Sequence, residues 1–178
     1  MSDCVDDAIL STNKPVCNTH SLNGKWVLYN HLPSEKNWSL CSYNIIMSNI
    51  DTVEKMIAIN RALPENMIKF SMLFLMREGI TPLWEDEQNK NGGCFSYKVI
   101  NKNVLQVWRH MMYLLAGESL ATQTDYNANI NGITISPKKN FCIIKIWMKS
   151  SKFQDPQMVA CVDNLTKHGS MFKRHGDA

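Results

Sequence analysis

Between Lys25 and His175 the chain keeps returning to one pattern: short blocks of β-branched and aromatic residues, with apolar positions two apart and polar turns between the blocks. A period of two puts alternate side chains on opposite faces of a strand, so each block reads as a half-buried strand. The blocks are Lys25 to Leu32, Ser39 to Ser48, the alternating Ile68, Phe70, Met72 and Phe74, Phe95 to Ile100, Ile130 to Ser136, Phe141 to Met148, and a short last one at Met171 to His175. Only three stretches have helical spacing. Asp51-Thr52-Val53-Glu54 has the form of a capping box and opens a helix to about Ala62. A second helix starts near Asn103, carries Leu105, Trp108, Met112 and Leu115 on one stripe, and ends at Gly117. Asp155-Pro156 supplies an N-cap and a proline at the first helical position for a third, running through Val159, Val162 and Leu165 until Gly169. Helices this sparse cover one face of a sheet and leave the other free. The expectation is an α+β fold: a curved antiparallel sheet of about six to eight strands, three α-helices on its convex face and a ligand slot on its concave face.

The 178 residues suffice for one domain with a real core. Residues 1–20 are polar and aperiodic, with Asp3, Asp6 and Asp7, and are expected to form a flexible tail before a single domain at 21–178. They have neither the basic start nor the apolar stretch of a signal peptide, and no apolar run approaches the roughly eighteen residues of a membrane span. A cytoplasmic protein with no membrane partner is expected. The six cysteines show no CxxC spacing, which argues against a zinc site and for free thiols in a reducing compartment. The acids Glu85, Asp86 and Glu87 are adjacent, and neighbours in a loop diverge rather than converge on one ion. Arg77-Glu78 leads straight into Gly79 without the helix signature of a phosphate-cleaving Nudix enzyme, and no Ser/His/Asp or Cys/His set is legible. The chain is read as a binding protein, not an enzyme, with no cofactor or metal.

Net charge is only +3, too weak by itself to imply a nucleic-acid partner. Its distribution is more telling. No acidic residue falls between Asp125 and Asp155, where Lys138, Lys139, Lys145, Lys149 and Lys152 all lie. Such a one-signed stretch suits an anionic ligand, or simply a solvated strand face. A lone tryptophan is usually core, and Trp26 and Trp108 fit that fate. Trp38 and Trp84 do not. Trp38 follows the polar run Pro33-Ser34-Glu35-Lys36-Asn37, and Trp84 stands in a loop after Pro82, beside three acids. A ligand explains two loop tryptophans better than packing does.

The run Thr81-Pro82-Leu83-Trp84-Glu85-Asp86-Glu87-Gln88-Asn89-Lys90-Asn91-Gly92-Gly93 resembles the most distinctive stretch of the eukaryotic translation initiation factor 4E family. Lys25-Trp26, Trp38, Asp51-Thr52-Val53-Glu54, Trp108, Gly117-Glu118-Ser119 and Ile146-Trp147 follow the family's order at close to its spacing. The resemblance covers about His20 to the C-terminus and implies a slot for the 7-methylguanosine cap of messenger RNA. Methylation at N7 makes guanine a flat cation, which two electron-rich indole faces hold well. Mapped by motif, Trp38 and Trp84 are the sandwich, Glu85 accepts from the guanine edge, and Trp147 lies against the methyl group. The resemblance puts phosphate binding on Lys138; Lys139, one place from the family's second basic position, and Lys145, on the face of Trp147, are the next candidates. Capped messenger RNA is the implied partner, and recruitment of messages for translation the implied role; a cap-binding repressor or decoy is the alternative.

The sequence also departs from the family. Cys94 stands where a basic residue is usual after the Gly-Gly pair, and Asn140 and Ile143 replace two further cations. Lys145 lies two residues from Trp147, so it shares its face, and Lys173 and Arg174 near the C-terminus offer compensating charge. On the convex face the family receives a Tyr-x-x-x-x-Leu-Φ helix of initiation factor 4G. Here Val53 is kept, but Ile57 replaces the anchoring tryptophan and Arg109-His110 replace a Leu-Glu pair. The ordinary 4G peptide is expected to bind weakly or not at all, which leaves either a divergent 4G-like scaffold or no protein partner on this face. Such divergence suits a protist or a large virus.

Overall fold

The computed structural model describes residues 19–167 and 170–176; the tail expected at residues 1–20 falls almost wholly outside them. Seven strands form one curved sheet in the order β2-β1-β3-β5-β6-β4-β7. They are β1 (Ser21–His31), β2 (Asn44–Thr52), β3 (Met72–Arg77), β4 (Gly93–Ile100), β5 (Ile130–Pro137), β6 (Phe141–Met148) and β7 (Met171–Arg174). Every neighbouring pair is antiparallel. Register shifts between β1 and β2 are the local irregularities that bend a strand pair and increase its twist.

The helices are α1 (Val53–Ala62), α2 (Glu65–Phe70), α3 (Val104–Ala116) and α4 (Thr124–Ala128). They bury one face of the sheet. Trp26 and Leu28 of β1, Leu73 and Leu75 of β3, Phe95, Tyr97 and Val99 of β4, Ile133 and Ile135 of β5, and Ile144 and Ile146 of β6 share a single core with Val107, Trp108, Met111 and Met112 of α3. The alternation read from the sequence thus sorts the sheet into a helix face and an open face.

Three expectations need correction. The segment from Asp155 to Gly169 is not a helix. Asp155 does cap Gln157 N–H (2.9 Å), but the turn stops after Pro156–Met158. Val159 then bridges to Ala121, while Val162 and Leu165 are buried from an irregular path. Apolar residues three apart were satisfied there without helical bonds, and the expected end at Gly169 lies outside the described residues. Second, the alternation from Ile68 to Phe74 spans a junction. Pro64 starts the short helix α2, whose Ile68 is buried and Phe70 exposed, and the strand begins only at Met72. Third, the cap of α1 is Thr52, whose Oγ1 accepts from Lys55 N–H at 3.2 Å. Glu54 does not close a capping box; its carboxylate accepts from the His20 backbone N–H (3.0 Å) and pairs with His20 Nδ1 (2.7 Å). No helix among the described residues is long and apolar enough to cross a membrane.

Candidate functional site

The open face of the sheet has its own small apolar cluster: Phe74 and Met76 of β3 and Trp147 of β6, with Tyr43 and Ile80 from the adjoining loops. Above it is a cavity of about 240 Å³, floored by Phe74, Met72, Thr134, Ser136, Lys145 and Trp147. Two connections wall it. The β1–β2 connection brings Trp38, and the β3–β4 connection brings Pro82, Leu83, Trp84 and Glu85. Trp38 is 51% exposed and Trp84 50%, against 0% for Trp26 and Trp108. Both indoles are thus left half in water at the edge of one cavity. Trp147 is only 8% exposed, and its Nε1–H donates to Thr134 Oγ1 at 3.3 Å, which fixes the ring in the floor.

The two walls are held differently. His31, fully buried at the end of β1, stacks on Trp38 with ring centres 4.3 Å apart and planes within 6°. Its Nε2–H donates to the Asn37 carbonyl at 2.9 Å, which seats the loop on the ring. Tyr43 presents an edge to Trp38 (6.5 Å) and to Phe74 (5.2 Å). Burial, with the charge of Glu85 adding to it, pushes the Tyr43 phenol up to about 12, so it stays a neutral wall. The Trp84 loop is racked on buried amides. Asn89, fully buried, donates to the carbonyls of Thr81 (3.0 Å) and Leu83 (2.8 Å), and Asn131 Nδ2 donates to Asn89 Oδ1 (2.9 Å) and Gln88 O (2.7 Å). Asp86 accepts from Thr81 N–H (2.8 Å), Thr81 Oγ1–H (2.6 Å) and Gln88 N–H (2.9 Å). Burial opposes its ionisation, but these bonds outweigh burial and hold its carboxyl below the usual range. Asp86 is therefore a loop brace, and Glu85 is left facing the cavity. At the loop's end Gly92 lies so close to the Met148 carbonyl that any Cβ would strike it.

A second cavity, of about 410 Å³, adjoins the first across Trp84, Lys145 and Trp147. Its remaining lining is Cys94, Lys173, Arg174, His175 and Gly176, with no carboxylate. The register explains the grouping: Cys94 pairs with Trp147 on one side and Lys173 on the other. His175 lies tilted against Trp147 (4.8 Å) and donates from Nδ1 to the Asn89 carbonyl (2.8 Å). Burial pushes its pKa down, with Lys145 adding to the effect and the Asn89 bond opposing it; the cationic character of this cavity rests on Lys145, Lys173 and Arg174. Burial likewise raises the Cys94 thiol, although Lys145 and Lys173 pull the other way.

Of the residues singled out in the sequence, Trp38, Trp84, Glu85, Trp147 and Lys145 therefore converge. Lys138 and Lys139 do not line either cavity; they are exposed on the β5–β6 turn. Tyr43, Phe74 and Met72 escaped notice because floor residues look like core, and only the two-faced packing of β3 distinguishes them. On the helix face, Val53 and Ile57 do share a groove of about 420 Å³, with Leu22, Met56, Arg61 and Tyr113. Arg109 and His110 are not part of its lining. Arg109 is tied to the turn after α1, its Nη2–H reaching Leu63 O at 3.4 Å and its own carbonyl accepting from Asn60 at 2.9 Å.

A curved antiparallel sheet backed by helices on one face has known counterparts. The family described as "Eukaryotic initiation factor 4E" matches residues 21–170. The eukaryotic translation initiation factor 4E of Eremothecium gossypii is 32% identical over 170 residues, spanning 93% of this chain and 75% of that protein. A factor 4E homolog of Acanthamoeba polyphaga mimivirus is 40% identical over 62 residues, 35% of this chain and 23% of its own. Among solved structures, Ascaris suum eIF4E-3 with m7G cap superposes with a TM-score of 0.63 at 22% identity, covering 75% of this chain and 76% of that one. The C. elegans eIF4E-3 complexed with the 4E-binding protein Mextli gives 0.66 at 20% identity, over 76% and 78%. The chain belongs to the eukaryotic initiation factor 4E family.

Proposed function

We propose that the slot binds the 7-methylguanosine cap of messenger RNA and that this binding recruits messages for translation initiation. The observation that carries the reading is the pair of half-exposed indoles, Trp38 and Trp84, on one 240 Å³ cavity with Glu85 at its rim. The methylated base enters between the rings as a flat cation. Guanine N1–H and N2–H then donate to the Glu85 carboxylate, bonds strengthened by its charge. Trp147 meets the methyl group from the floor. The triphosphate runs toward Lys145, with Lys173 and Arg174 alongside and Lys138 and Lys139 further out on the β5–β6 turn.

Titrating the protein with 7-methyl-GTP and following tryptophan fluorescence tests this directly. Quenching by 7-methyl-GTP but not by GTP is expected; equal binding of the two would remove the role of the cation. Glu85→Gln replaces one acceptor by an NH₂ that faces the guanine donors. Hydrogen bonds to charged groups contribute about 1.5–3 kcal/mol, so the variant should bind roughly tenfold to a hundredfold more weakly.

The groove on α1 and α3 favours a second reading, a cap-binding repressor or decoy that does not engage the usual scaffold. Its lining has Ile57 where the family resemblance places a tryptophan, and losing an aromatic anchor typically removes a contribution of about 2 kcal/mol or more. A Tyr-x-x-x-x-Leu-Φ peptide should bind at least tenfold more tightly to an Ile57→Trp variant than to the unaltered chain, as measured by calorimetry. Equal affinities would show that this position does not select the partner.

A further inference from the structure

The open face of the sheet continues beyond the two cavities. On β6 the residues sharing the face of Trp147 are Lys145, Ile143 and Phe141, since Cys142, Ile144, Ile146 and Met148 are buried beneath the helices. On β4 the partners are Ser96 opposite Lys145, Lys98 opposite Ile143 and Ile100 opposite Phe141. From Trp147 to Phe141 is six residues, about 20 Å of strand at about 3.3 Å each. At the far end Lys98 Nζ lies 4.5 Å from the centre of the partly exposed Phe141 ring, and the turn beyond carries Lys138 and Lys139. No Asp or Glu occurs between Gln88 and Gly117, between Tyr126 and Gln154, or in β7, so β4 to β7 carry none.

An apolar strip alone would say little about its occupant. This one combines a flat ring, spaced lysines and no carboxylates, and it runs on from a slot whose ligand ends in phosphates. Stacking platforms flanked by cations are how single strands are held without regard to sequence. We propose that the strip from Lys145 to Phe141 binds the first nucleotides of the RNA whose cap the slot holds, with a base stacked on Phe141 and Lys98 against a phosphate. The proposal rests on the cap-binding reading for the direction of the chain, which leaves the slot past Lys145. The Lys98–Phe141 contact is an exposed cation–π pair and therefore weak. A nucleotide exchanges it for a stack on the ring and a charge-assisted bond to the lysine.

The test compares 7-methyl-GTP with a capped, unstructured pentanucleotide and the same pentanucleotide uncapped, in equilibrium titrations at one fixed salt concentration. The capped pentanucleotide should bind at least tenfold more tightly than 7-methyl-GTP, with a steeper loss of affinity on adding salt. Lys98→Gln and Phe141→Leu, both mild changes at partly or fully exposed positions, should each remove at least threefold of that gain and leave 7-methyl-GTP binding unaltered. Equal binding of the two capped ligands, or a gain that survives both substitutions, overturns the proposal while the cap reading stands. If 7-methyl-GTP fails to bind, the cap reading fails by itself and the uncapped strand decides. Binding that both substitutions weaken then upholds the strip, and absence of binding overturns it.

Discussion

Trp84→Ala is expected to weaken binding of 7-methyl-GTP by at least tenfold while leaving the fold nearly as stable as before. A base stacked on an aromatic side chain gains about 1–3 kcal/mol, and about 1.4 kcal/mol is a factor of ten. The methylated base adds a cation–π component that Trp supplies best, so Trp84→Phe should fall between the two. The fold should tolerate the change because the indole is half in solvent and leaves no closed cavity. Trp38→Ala removes the opposite face and should cost a similar factor. Isothermal calorimetry for affinity and urea denaturation for stability separate the two quantities. A Trp84→Ala protein that binds within threefold of the unaltered one would rule out the sandwich.

Asn89→Ala should produce the largest loss of stability at a polar position near the slot. One side chain there caps two carbonyls and accepts from Asn131, with no exposure to water. Truncation strands the Thr81 and Leu83 carbonyls and one N–H of Asn131 in a space too closed for each to be rehydrated. Buried polar groups left without partners cost about 1–3 kcal/mol each, so a decrease of about 3–5 kcal/mol in unfolding free energy is expected in urea titrations. Cap-analogue affinity should fall with it, because the same bonds set the height of Trp84 and Glu85 above the floor. A loss below about 1 kcal/mol would mean that the loop is held by something else.

Most strands and the two long helices could be read from the sequence because burial and periodicity agree in them. The blocks at Ile68 to Phe74 and Ser39 to Ser48, however, each run through a helical turn, at Glu65–Phe70 and Leu40–Ser42, before the strand starts. Leu105, Trp108, Met112 and Leu115 mark the stripe of α3, and the alternation in Phe141–Met148 is the two-faced character of β6. Where the reading failed, a local signal was real but tertiary packing decided otherwise. Asp155-Pro156 does start a turn, yet Val159 is taken by a bridge to Ala121 before a helix can propagate. The aromatic half of the site was legible because exposed tryptophans are conspicuous in polar loops. The cationic half was less so, because it depends on strand neighbours. Only the pairing of Cys94 with both Trp147 and Lys173 brings the C-terminal charges to the slot, and no spacing along the chain reveals that. Lys138 and Lys139 are near Trp147 in sequence but stand at the opposite end of the same strand.

The two walls of the slot are unequal. From Leu32 to Cys41 no side chain is buried, and Trp38 rests chiefly on the His31 ring. Trp84 stands on a loop pinned by Asn89, Asn131 and Asp86. Segments with few buried contacts open at a small fraction of the global unfolding cost. On the proposed cap-binding reading, the entropy lost on binding therefore falls mainly on the Trp38 arm, while the Trp84 arm is already fixed. On the proposed reading, a substitution in residues 32–41 other than at Trp38 that stiffens the loop should tighten binding, and one that loosens it should speed release.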